Sequence, residues 1–221
     1  MHEGHRDRLR NRFLAEGLDN FNQHQILELL LFYTIPRRDT NPIAHNLIKQ
    51  YGSLPAVLEA GYENLTKVSG LSHNTAVFLT LLPELCRRYL KEKWGDKPVL
   101  NSSEKAGKYA VTLFYGRQYE VFYAICMDSQ NRVNYADLVH EGTIDSAPVY
   151  PRVIIESALR HKATGIILAH NHPGGSLKPS SADIDATKRI KAACETISVR
   201  VVDHIIVAGD QYFSFADRGL I

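Results

Sequence analysis

The feature that most constrains the architecture is a change of hydrophobic period across residues 91–101. Before it, residues 23–90 carry a helical pattern, in which Ile26, Leu27, Leu29, Leu30 and Leu31 give one broad apolar face. Thr40 ahead of Pro42 marks a helix start, Ser53-Leu54-Pro55 opens another, and residues 62–68 form a third. A longer helix begins at Ser72 or Asn74 and reaches Arg87, Arg88 and Tyr89. Residues 91–101 read KEKWGDKPVLN, polar and aperiodic with Gly95 and Pro98, as expected of a linker. The expectation is an all-helical bundle over residues 1–97 and a second domain over residues 98–221.

The second half predicts an α/β domain around a mixed sheet. A helix over 103–115 precedes a strand over 119–127, rich in aromatic and β-branched residues, and a turn at 128–131 returns the chain as a strand over 132–141. Pro151 suits the first position of a helix to 161, and 165–169 is a short buried strand. An amphipathic helix follows over 180–197, with Ile184, Ile190 and Ala193 inward, and strands at 199–207 and 212–215 complete the sheet.

Composition excludes several classes. With 44% apolar and 23% charged residues the chain is globular rather than disordered. The apolar run at 26–33 contains Glu28 and is too short for a bilayer, and Met1-His2-Glu3-Gly4-His5-Arg6 lacks a signal-peptide core, so a cytoplasmic protein without membrane contact is expected. Cys86, Cys126 and Cys194 lack CxxC spacing and each suits a buried thiol, which implies no disulfide framework. The net charge of +2, with 13 basic against 11 acidic side chains in residues 1–100, gives no strong pull towards nucleic acid. Arg6, Arg8, Arg10 and Arg12 form a local cluster that reads either as a solvated terminus or as a phosphate-binding arm.

The segment with chemistry in it is HNHPGGSLKPSSAD, residues 170–183. In an extended chain residues i and i+2 point to the same side, so His170 and His172 can offer their rings to one ion. The loop through Gly174 and Gly175 can fold back and bring Asp183 to them. Two imidazole nitrogens and a carboxylate oxygen suit Zn²⁺, and three protein ligands leave a position for water. Ser180-x-x-Asp183 is also the spacing of a helix capping box, and one pair of side chains can serve both purposes.

The pattern H-x-H, seven residues, S-x-x-D resembles the JAMM (MPN+) metalloprotease motif. With Pro151-Arg152, HNHP, Pro179-Ser180 and Asp203-His204-Ile205-Ile206, residues 102–221 resemble the RadC family of bacterial proteins. The resemblance implies a JAMM/MPN fold, a mixed sheet flanked by helices in a layout like that of cytidine deaminases. It also implies a zinc-dependent hydrolase of amide bonds in peptides or isopeptides, with His170, His172 and Asp183 on zinc, Glu120 as proton shuttle and Ser180 steadying an oxyanion. Glu141 is the alternative to Glu120. His204 could serve on or behind the metal, but Asp203-His204 opens a buried strand, so a hydrogen-bonded structural histidine is expected and it is left out of the metal set.

Asn171 stands where ubiquitin-cleaving relatives have Ser or Thr, and Gly174 where RadC sequences have serine; neither removes a ligand. Arg152 suits either a substrate anion or a salt bridge near its helix start. Residues 65–76, LTKVSGLSHNTA, resemble a degenerate helix-hairpin-helix in which Ser72 replaces the second glycine. Binding of DNA through the N-terminal half, as a repair accessory, is therefore the second function class. A metal-free interaction module is the third, and the intact ligand set ranks it last.

Overall fold

The computed structural model describes residues 3–142 and 150–221, so Met1 and His2 of the segment read for a signal peptide lie outside the described residues. The chain forms two compact units, residues 1–85 and 86–221. Helix α6 (His73–Glu92) carries the chain across that division. Residues 91–101, read as a linker, belong to the second unit: Val99 bridges to Arg132, Leu100 N–H donates to the Asn131 carbonyl at 2.8 Å, and the Trp94 ring meets Tyr109 edge-on at 5.5 Å.

The first unit is helical, with α1 (Glu3–Glu16), α2 (Gln23–Leu31), α3 (Asn41–Tyr51), α4 (Leu54–Leu58) and α5 (Tyr62–Leu65) leading into α6. Leu27, Leu31, Ala44, Leu47, Val57, Leu65 and Leu79 make its core. Ser53 caps α4 by accepting the Ala56 N–H, as its position before Pro55 predicts. The arginine cluster lies on a regular helix, α1, rather than in a poorly ordered terminus. Arg6 donates to the carbonyls of Phe32, Ile35 and Arg38, and Arg12 pairs with Glu16 and lies over the Phe21 ring. At the hairpin before α6, Gly70 adopts φ +95°, and the Thr75 N–H is bonded to the Ser72 hydroxyl. Cys86 is exposed, contrary to expectation, whereas Cys126 and Cys194 are buried.

The second unit is a five-stranded sheet between two helical layers, with order β2-β1-β3-β4-β5: β1 (Val121–Met127), β2 (Val133–Glu141), β3 (Gly165–Asn171), β4 (Arg200–Ala208) and β5 (Gln211–Ser214). Among the described residues only β3 and β4 pair in parallel, and α9 (Ser181–Glu195) makes the crossover that this requires. Both faces of β1 are buried, which accounts for its unbroken apolar run. Val121, Tyr123 and Ile125 face α7 (Ser103–Phe114) through Tyr109, Ala110 and Leu113. Phe122, Ala124 and Cys126 face α8 (Pro151–Arg160) and α9 through Ile154, Ile190 and Cys194. A Cβ on Gly107 would lie 2.3 Å from the Tyr212 ring, so α7 needs glycine there to reach the sheet. Arg152 pairs with Glu156 one turn along α8 at 2.9 Å, as a salt bridge near the helix start predicts. No helix among the described residues is long and apolar enough to cross a membrane.

The inward face of α9 differs from the expected one. Its buried residues are Asp183, Thr187, Ile190 and Cys194, spaced i, i+4, i+7 and i+11, while Ile184 and Ala193 are only partly covered. Two polar side chains thus replace apolar ones in the stripe nearest the end of β3.

Candidate metal centre

His170 is the penultimate residue of β3 and is completely buried. Across the ladder it pairs with Phe122, whose ring lies parallel to the imidazole at 5.7 Å. His172 follows the strand by one residue and is held twice: its N–H donates to the Val207 carbonyl at 2.8 Å, and its Nδ1 lies 2.7 Å from the Ser176 carbonyl. A turn closed by the Gly175 N–H on the His172 carbonyl reverses the chain. Gly175 sits at φ +82° and needs to be glycine, whereas Gly174 does not. The chain then enters α9 through a reciprocal cap. Ser180 Oγ accepts the Asp183 N–H, and Asp183 Oδ2 accepts both the N–H and the hydroxyl of Ser180 at 2.7 Å.

These constraints bring the three expected ligands together. His170 Nε2 is 2.9 Å from His172 Nε2 and 3.2 Å from Asp183 Oδ1, and His172 Nε2 is 3.7 Å from Asp183 Oδ2. Since a carbonyl oxygen only accepts, His172 carries its hydrogen on Nδ1 towards Ser176 and turns the Nε2 lone pair to the cluster. Burial alone would raise the Asp183 carboxyl, but the hydrogen and charge that His170 presents when protonated, and the two bonds from Ser180, outweigh it and hold the group well below the usual carboxylate range. Burial is also the largest influence on His170 and lowers its affinity for a second proton. Electron-rich groups thus converge in an arrangement that could hold a cation. The donor set and its approach, all ligand atoms within 4.8 Å of one another, suit a zinc ion.

Glu120 immediately precedes β1, two residues before Phe122, and therefore lies on the face of the sheet that His170 occupies. Its negative charge is felt at His170. Glu141 pairs with Val121 on β2, on the opposite face, and approaches Arg117 at 3.4 Å. The geometry therefore separates two glutamates that the sequence left as alternatives. Ser180 is exposed at the rim, with its hydroxyl hydrogen directed to Asp183.

Asn171 has a function the sequence did not disclose. Its Oδ1 accepts the Val121 N–H at 2.8 Å and its Nδ2 donates to the Tyr119 carbonyl at 3.0 Å, so one side chain clamps the backbone on both sides of Glu120. Asn171→Ala is expected to lower stability by about 1–3 kcal/mol, because a buried donor and acceptor lose their partners, with metal content unchanged. Urea denaturation alongside elemental analysis checks this; unaltered stability would mean that backbone pairing alone fixes the start of β1.

The family model of the RadC-like JAB domain matches residues 100–220. Over 226 residues the chain is 38% identical to UPF0758 protein FN0909 of Fusobacterium nucleatum subsp. nucleatum, an alignment covering 99% of this chain and 97% of that one. The chain belongs to the RadC family. In this RadC-family protein the matched residues span the whole sheet, α7, α8, α9 and all three converging ligand atoms. Sequence reasoning left His204 outside the ligand set, and the structure keeps it behind His170, its Nε2 at 2.8 Å from His170 Nδ1. Thr187 went unnoticed as a site residue; its signal was the i+4 spacing from Asp183 on α9.

Proposed function

We propose that the second unit is a zinc-dependent hydrolase that cleaves an amide bond, in a peptide or an isopeptide, with water. The observation that supports this best is the convergence of the His170, His172 and Asp183 ligand atoms within 4.8 Å, their lone pairs turned inward by fixed partners. His170, His172 and Asp183 would hold the zinc, which would supply Lewis acidity and a nearby water of pKa about 7. Glu120 takes the proton from the attacking water and passes it to the leaving amine, a role for a carboxylate on the same face as the ligands. Ser180 stands at the rim with its hydroxyl donated to Asp183 Oδ2, and the role proposed for it is to redirect that hydrogen to the oxygen on which negative charge develops. Phe122 and the aliphatic wall of Ile154 and Leu168 limit water on the inner side.

Elemental analysis of the purified full chain tests the reading. About one zinc per chain is expected, absent from His172→Ala and Asp183→Ala and retained in Glu120→Gln, because the glutamate is no ligand. With metal established, Glu120→Gln should hydrolyse peptide and isopeptide substrates at least about 10²-fold more slowly than wild type. A wild-type chain that stays empty when zinc is supplied would sink the proposal.

A further inference from the structure

His204 is fully buried on β4, stacked on Phe215 at 4.7 Å and tilted against Phe122 at 5.5 Å. Both of its ring nitrogens have partners: Nε2 lies 2.8 Å from His170 Nδ1, and Nδ1 lies 2.6 Å from the hydroxyl of buried Thr187. The Thr187 hydroxyl also lies 2.6 Å from the backbone carbonyl of Asp183, one turn earlier on α9.

The direction of each bond follows by elimination. A carbonyl oxygen has no hydrogen to give, so the single hydroxyl hydrogen of Thr187 lies towards Asp183. Thr187 Oγ1 must then accept from His204, which places the His204 hydrogen on Nδ1 and leaves its Nε2 as an acceptor. That nitrogen accepts from His170 Nδ1, so the remaining nitrogen of His170, Nε2, turns its lone pair to His172 and Asp183. The opposite direction would leave the Thr187 oxygen and the Asp183 carbonyl 2.6 Å apart with no hydrogen between them.

We infer that His204 and Thr187 are positioning residues for the metal centre, a buried relay that fixes which nitrogen of His170 meets the ion. The inference rests on the zinc reading given above and extends it to residues that touch no ion. It also explains why α9 turns polar side chains inward. The relay runs from β3 through β4 to α9 and ends on the backbone of Asp183, so the elements that carry His170 and Asp183 are tied together behind the site. Partners of this kind fix the orientation and basicity of a histidine ligand.

The test is zinc binding by the full-length, metal-stripped chain, measured by competition with a chromophoric chelator, for wild type, Thr187→Val and Thr187→Ser. Valine keeps the bulk and removes the hydroxyl, and is expected to weaken zinc binding about 10–100-fold. Serine keeps the hydroxyl and should bind zinc close to the wild-type level. A purely structural threonine would alter the melting temperature of the metal-free chain without this rescue pattern, and a Thr187→Val variant that binds zinc like wild type overturns the proposal. Nitrogen-15 shifts of the imidazoles in the wild-type chain give a second readout even where Thr187→Val fails to fold. They should show the His204 hydrogen on Nδ1, and a hydrogen on Nε2 overturns the relay. A wild-type chain that takes up no zinc removes the metal reading and with it the relay's role towards an ion, while the hydrogen positions still stand or fall on the nitrogen shifts.

Discussion

Asp183→Ala is expected to remove zinc binding altogether and to weaken the start of α9, whereas Asp183→Asn should remove most zinc binding and spare the helix. The two effects separate because the carboxylate has two duties. Oδ1 faces His170, and Oδ2 closes the reciprocal cap by accepting from Ser180. Asparagine keeps an oxygen that can accept the Ser180 N–H but carries no charge, and a neutral amide is a poor third ligand for a divalent ion. Alanine loses both duties, at an added cost of about 1 kcal/mol, the scale of a helix-capping contact. The pH dependence has a definite sign. The folded carboxyl titrates below its unfolded value, so its contribution to stability is complete above about pH 4 and is lost as the pH falls towards the folded value. The stability gap between wild type and Asp183→Asn, measured on metal-free protein by urea denaturation, should therefore be constant from neutral pH down to about 5 and close below 4. A gap that widened on acidification would contradict the assignment.

The candidate cluster of His170, His172 and Asp183 was legible in sequence because its parts lie close together on the chain. The period-two spacing of His170 and His172 needs only an extended chain, and the capping spacing of Ser180 and Asp183 needs only a helix start. Neither depends on long-range packing. The strands were legible for a related reason: β1 and β3 are covered on both faces, so continuous apolar runs mark them. What stayed hidden depends on register. His204 reaches His170 only because β4 lies parallel to β3 with Leu168 opposite His204, and an irregularity at Ile166 and Ile167 shifts that register. The α9 face was misjudged because apolar residues alone defined it. Ile184 and Ala193 point partly outward so that Asp183 and Thr187 can point in. In the first unit, Arg6 looked solvated because its acceptors, the carbonyls at the end of α2 and beyond, are 26 to 32 residues away.

Phe122→Ala should be the most damaging substitution that leaves every ligand in place. Phe122 is 2% exposed on the interior strand β1, stacked on His170 and against His204, so its ring is at once core and the wall of the site. Truncating a buried phenylalanine costs about 3–5 kcal/mol, from lost transfer energy and from the cavity left behind. Here the upper part of that range is expected, because the neighbours that might close the cavity are held. His170 belongs to a ladder with β1 and β4 and bonds to His204, and the hydrogen on the relay nitrogen cannot follow the ring inward without breaking that bond. Phe122→Leu retains much of the volume and should cost less than half as much. Chemical denaturation of the metal-free chains measures the first effect, and zinc competition measures the second. Alanine should weaken zinc binding through a less restrained His170, and leucine should do so only slightly. Equal losses of stability in the two variants would mean that ring stacking, rather than volume, holds the inner wall, and the site's order would then depend on aromatic contacts with His170 and His204.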